Sequence, residues 1–146
     1  MLALLAYLSL CGNSPTLDKF AAVGSHVKSA LQVAGVRRGP CTPTDCELLM
    51  QDGSRWTVFG QLVTRQRYLR SEAGKRMPFG LNNVVGRQQS LKRLSALTGV
   101  KFRMANDRRI HDGSIKLQGG TEARLYFRVG RRGYVEEIGV TIGEGE

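Results

Sequence analysis

The stretch LYFRVGRRGYVEEIGVTI, residues 125–142, decides the fold. Leu125, Phe127 and Val129 fall on one side of an alternating run, and Arg124, Tyr126 and Arg128 fall on the other. A period of two marks a strand buried on one face only. Gly130-Arg131-Arg132-Gly133 supplies a turn, and Tyr134, Val135, Ile138, Val140 and Ile142 supply the returning strand. The alternation slips at Glu136-Glu137, where a bulge is expected. Two strands joined so tightly belong to an antiparallel sheet, since a parallel pair needs a long crossover.

Working outward, the same hairpin grammar recurs. Asp52-Gly53-Ser54 separates two apolar runs, Cys46–Gln51 and Arg55–Phe59, and Asp-Gly favours the backbone of a two-strand turn. Gly60 interrupts the chain before a further strand over Gln61–Leu69. There Val63, Arg65, Arg67 and Leu69 share a face, which predicts an edge or solvent-facing strand. Val100, Phe102 and Met104 alternate with Lys101 and Arg103, and Ile115 with Leu117 marks a short strand beyond a charged loop over Asn106–Gly113.

Helical spacing appears twice. Phe20, Val23, Val27, Ala30, Leu31 and Ala34 recur at threes and fours, predicting one amphipathic helix over Leu17–Val36, followed by a turn over Arg37–Thr44. Leu91, Leu94 and Leu97 predict the buried stripe of a second helix over Arg87–Thr98, stopped by Gly99. No repeat is visible in the residues. The expected fold is α+β, an antiparallel β-sheet built from hairpins with about two helices packed on one face.

Residues 1–14 read as an apolar, signal-like leader, and 15–146 as a single α+β domain. Leu8-Ser9-Leu10-Cys11 resembles a lipoprotein cleavage box, making Cys11 a candidate lipid anchor, and the apolar run is too short to span a bilayer. A periplasmic or secreted location is therefore expected. Cys41 and Cys46, four residues apart around Pro43, suit a structural disulfide in an oxidising compartment. With only His26 and His111 available, at no paired spacing, no metal site is expected.

The net charge of +10 is the strongest functional signal, and 16 of the 22 basic residues are arginine. Arginine forks onto carboxylate and phosphate in a way lysine does not. Arg65, Arg67 and Arg70, then Arg103, Arg108 and Arg109, then Arg124, Arg128, Arg131 and Arg132 form three clusters that sheet pairing can merge into one basic face. Tyr68 and Tyr126 are candidates to interleave with it. Such a face suits an acidic protein partner or an anionic envelope component; nucleic acid is the alternative, and a plain solvated surface the bland one. No catalytic constellation stands out. A hydrolase would have to use His111 with Asp107 or Asp112, and Glu136-Glu137, as strand neighbours, point apart.

Cys41 to Thr141 resembles a pattern of small bacterial envelope proteins. A polar Asp-Gly turn and strand precede the loop Met77-Pro78-Phe79-Gly80-Leu81, a helix opening Gln88-Gln89-Ser90-Leu91, and a terminal hairpin. The pattern is similar to the outer-membrane assembly lipoprotein class (SmpA/OmlA-like) and to small inhibitor or immunity proteins. The resemblance implies a cofactor-free, non-enzymatic binder that acts by presenting a surface.

Overall fold

The computed structural model describes residues 19–83, 87–117 and 119–143; the leader and Cys11 lie outside them. Eight strands form one antiparallel sheet: β1 (Arg37–Cys41), β2 (Asp45–Leu49), β3 (Ser54–Phe59), β4 (Leu62–Leu69), β5 (Arg103–Met104), β6 (Ile110–Lys116), β7 (Glu122–Val129) and β8 (Val135–Thr141). The spatial order is β1-β2-β3-β4-β8-β7-β6-β5. Two four-stranded meanders thus meet through their last strands, with Arg65 opposite Thr141, Arg67 opposite Gly139 and Leu69 opposite Glu137. Among the described residues three α-helical segments accompany them: α1 (Val27–Leu31), α2 (Arg70–Ala73) and α3 (Arg87–Thr98). Each meander follows a helix, so the order of elements repeats although the residues do not.

The terminal hairpin behaves as its pattern predicts. Leu125, Phe127 and Val129 are buried, while Arg124, Tyr126 and Arg128 lie half-buried on the opposite side. Arg128 pairs with Glu137 and Val129 with Val135, leaving Glu136 as the extra, bulged residue. The Asp52-Gly53 turn also forms as predicted. Asp52 Oδ1 accepts hydrogen bonds from the Ser54 amide at 2.9 Å and the Ser54 hydroxyl at 2.6 Å. Gly53 has φ +88°, and a Cβ there would come within 2.7 Å of Ala73 Cα, so both conformation and space demand glycine.

Elsewhere tertiary pairing overrides the local pattern. The helix over Leu17–Val36 does not form as one piece. Gly24, at φ +92°, breaks it, and its amide donates to Val63 O at 2.8 Å while the Val63 amide donates to Ser25 O at 2.9 Å. This segment pairs with β4 just beyond the end of β8, where β4 would otherwise leave backbone groups unpaired. Helix α1 then begins after His26, whose Nδ1 caps it by accepting from the Lys28 amide at 3.0 Å.

Arg37–Cys41 is a strand and not the expected turn. Pro40 is tolerated there because β1 is an edge strand. β4, by contrast, is central and not an edge; a bulge opposite Thr57-Val58 puts Val63, Gln66 and Tyr68 on the core side and Arg65 and Arg67 on the other. The expected strand over 100–104 shrinks to Arg103–Met104, with Met104 exposed, and β6 begins within the expected loop, at Ile110. Helix α3 spans the residues predicted, but only Leu94 of its stripe is fully buried, and Leu97 is 40% exposed.

The main core joins Phe20, Tyr68, Met77, Leu81 and Leu94 to Leu125, Phe127, Ile138 and Val140. A smaller one, with Ala30, Leu48, Met50, Val58 and Val63, lies beside the first meander. Cys41 and Cys46 pair across β1 and β2 and form the expected disulfide, with a Cα–Cα distance of 4.0 Å. No helix among the described residues is long and apolar enough to cross a membrane.

Candidate functional site

Strand register assembles the face opposite the main core. One row runs across the sheet as Ser114, Arg124, Thr141, Arg65, Thr57 and Glu47. The next runs as Arg103, Asp112, Tyr126, Gly139, Arg67 and Arg55. A third carries Arg128 opposite Glu137. Directly paired side chains in neighbouring strands sit about 5 Å apart, close enough to interact. Arg65, Arg67, Arg103, Arg124 and Arg128, with Tyr126 among them, line one concavity of about 1060 Å³.

The arginines do not stand alone. Arg67 bonds Glu47 at 2.8 Å and lies 3.7 Å from Glu137. Arg55 reaches Glu72 at 2.5 Å and Glu47 at 3.5 Å. Arg128 approaches Glu137 at 3.4 Å, and Asp112 takes Arg124 at 2.5 Å and Arg103 at 3.8 Å. Glu137 is the hub, its side chain only 9% exposed.

Gly139 makes this hub reachable. Tyr126 pairs with it, and a Cβ on Gly139 would lie 2.8 Å from the Tyr126 hydroxyl. The bare backbone leaves a trough for the ring, and the phenol donates a hydrogen bond to Glu137 Oε2. Burial and then the Glu137 charge push the Tyr126 phenol far above its ordinary pKa, so it remains a donor. Over the ring, the Arg65 guanidinium sits 5.7 Å from the centroid.

The other basic residues lie apart from the concavity. Arg70, at the start of α2, donates to Leu81 O at 3.2 Å and stacks 4.6 Å over the Tyr134 ring. Arg108 and Arg109 occupy the β5–β6 turn. There Arg109 bonds Asp107 through its side chain at 3.1 Å, and the side-chain and backbone bonds from Arg109 hold the Asp107 carboxyl below its usual range. Arg131 and Arg132 are exposed at the β7–β8 tip. Tyr68 does not join the face. It is 3% exposed on the core side, where its hydroxyl donates to Asp52 at 3.0 Å.

His111 and Asp112 are adjacent strand residues and part company. His111 is buried, stacked on Phe127 at 5.0 Å, while Asp112 turns to the arginines. No group of three metal-ligating side chains occurs among the described residues. Glu47, Glu137 and Gly139 are the site residues that sequence reasoning missed. The bulge signal at Glu136-Glu137 was present, but only the register reveals that Glu137 meets Arg128 and Arg67. No protein-family model, curated protein or solved structure matches this chain.

Proposed function

We propose that this chain is a non-enzymatic binding protein of the envelope or secreted space, one that presents its arginine-lined sheet face to an acidic protein partner. Helices covering the opposite face would leave this one free for docking. Inhibition or immunity, or support of an envelope assembly, are the roles such a surface serves, in keeping with the resemblance to assembly lipoproteins. The Cys41–Cys46 disulfide suits an oxidising compartment.

One observation carries the reading: carboxylates lie among the cations of a concave face that holds a net excess of arginine. Fixed carboxylates at Glu47, Asp112 and Glu137 favour a partner whose acidic groups sit on flexible side chains and work against a continuous phosphate chain. Single-strand nucleic-acid sheets also rely on open aromatic platforms. Among the described residues lining the concavity Tyr126 is the one aromatic, and Arg65 already stacks on it.

The nucleic-acid reading rests on the net charge of +10. The two separate by comparing retention on immobilised poly-glutamate and on single-stranded DNA as salt rises. Tighter retention on poly-glutamate at physiological salt supports the proposal. Tighter retention on DNA, with affinity falling steeply on a log–log salt plot, overturns it in favour of nucleic acid.

A further inference from the structure

The geometry points to the row Arg124–Thr141–Arg65 as a seat for one carboxylate side chain, an aspartate or glutamate, projecting from the acidic protein partner. This deepens the reading above and rests on it.

Thr141 pairs with Arg124 on one side and Arg65 on the other. Three adjacent strands therefore place an arginine, a threonine and a second arginine in one row lining the concavity, the threonine hydroxyl donating to Ile142 O at 3.4 Å. Strand spacing puts the two arginine Cα atoms about 10 Å apart, near enough for one carboxylate to reach a donor of each fork. Thr141 is 7% exposed and forms the floor.

The two arginines differ in how they are held. Asp112 takes one Nη of Arg124 at 2.5 Å, fixing that side chain while leaving its other donors for a ligand. Arg65 has no ion pair with a carboxylate among the described residues. Its row neighbours are Thr57 and Thr141, and its guanidinium rests on Tyr126. Arg55, Arg67, Arg103, Arg124 and Arg128 each meet a carboxylate of the chain itself. The unneutralised cation of the face thus lies at its centre, preorganised by an aromatic ring. Preorganisation reduces the ordering cost of binding.

The ring of carboxylates around the seat sets its selectivity. Glu47 follows Thr57 in the same row, and Asp112 and Glu137 flank Tyr126. A carboxylate on a flexible side chain can enter between them while its neighbours swing clear, but the fixed charges of a phosphate chain meet repulsion on either side.

Calorimetric titration with hexaglutamate tests the seat, comparing wild type with Arg65→Gln and with Arg131→Gln, which removes the same charge from the hairpin tip. A seat predicts about tenfold weaker binding for Arg65→Gln and less than about twofold for Arg131→Gln. Equal losses from the two variants overturn the seat while leaving a diffusely basic face intact. No binding by wild type overturns both the seat and the acidic-partner reading. Should Arg65→Gln melt well below wild type, Arg65→Lys keeps the charge and removes the fork; weaker binding than Arg131→Gln then supports the seat, and equal or tighter binding overturns it. Hexathymidylate bound more tightly than hexaglutamate, and weakened by Arg65→Gln, would assign the seat to phosphate and overturn the carboxylate.

Discussion

Removing the Glu137 carboxylate should cost the fold far more than an ordinary surface mutation. Glu137 accepts the buried Tyr126 hydroxyl and faces Arg67 and Arg128 from a side chain 9% exposed. In Glu137→Ala the phenol loses a charge-assisted acceptor, worth about 2 kcal/mol. Arg128 is one-third exposed, so its pair adds at most about 1 kcal/mol. Arg67 keeps Glu47 and adds little. The sum, about 3 kcal/mol, corresponds to a melting temperature lower by roughly 10 °C for a domain of this size.

Tyr126→Phe should cost about 2 kcal/mol on its own, because the same hydrogen bond disappears. The double variant should then fall short of the sum by more than about 1 kcal/mol, since one interaction cannot be lost twice. Denaturant unfolding of all four proteins completes the cycle. A Glu137→Ala loss below about 1 kcal/mol, or strict additivity with Tyr126→Phe, would refute the hub.

Three further outcomes follow from the same structure. Replacing Cys41 and Cys46 by serine should lower stability by about 2 kcal/mol, the loop-closure entropy of so short a ring; thermal melts with and without reductant measure it. The Tyr68 and Tyr126 phenols are raised by burial and by Asp52 and Glu137, respectively. Because the folded values exceed the unfolded one, their contribution is complete below about pH 10 and disappears as pH rises through the folded values. An ultraviolet phenolate titration should accordingly show two tyrosines resisting ionisation until the chain unfolds. Leu94→Ala should cost between about 2 and 5 kcal/mol and Leu97→Ala under about 0.5, because Leu94 is fully buried and Leu97 is 40% exposed.

The elements legible in the sequence were those whose signal is local. Asp52-Gly53, the alternation over 124–129, the slip at Glu136-Glu137 and the helix stop at Gly99 each carry their own instruction in adjacent residues. The misread elements depend on distant partners. Phe20 through Ala34 keep a helical rhythm, yet the open edge of β4 captures Gly24 and Ser25. Val63 and Arg65 look like one face of a strand until the bulge opposite Thr57 turns Val63 into the core.

The site divides the same way. Composition and clustering pointed to Arg65, Arg67, Arg103, Arg124 and Arg128, which do line one concavity. Arg70, Arg108, Arg109, Arg131 and Arg132 group with them only by nearness in the chain, and pairing carries them elsewhere. Glu47 comes from the first meander and Glu137 from the second. Nothing in either neighbourhood shows that Arg67 bridges them.

The central claim is that the outward face of β4, β7 and β8 engages acidic side chains. Amide chemical shifts recorded during titration with poly-glutamate test it directly. The account predicts saturable shifts concentrated at Arg65, Arg67, Arg124, Tyr126 and Thr141, with the hairpin tip little changed. Shifts confined to Arg131 and Arg132, or spread evenly over every basic residue, would contradict it.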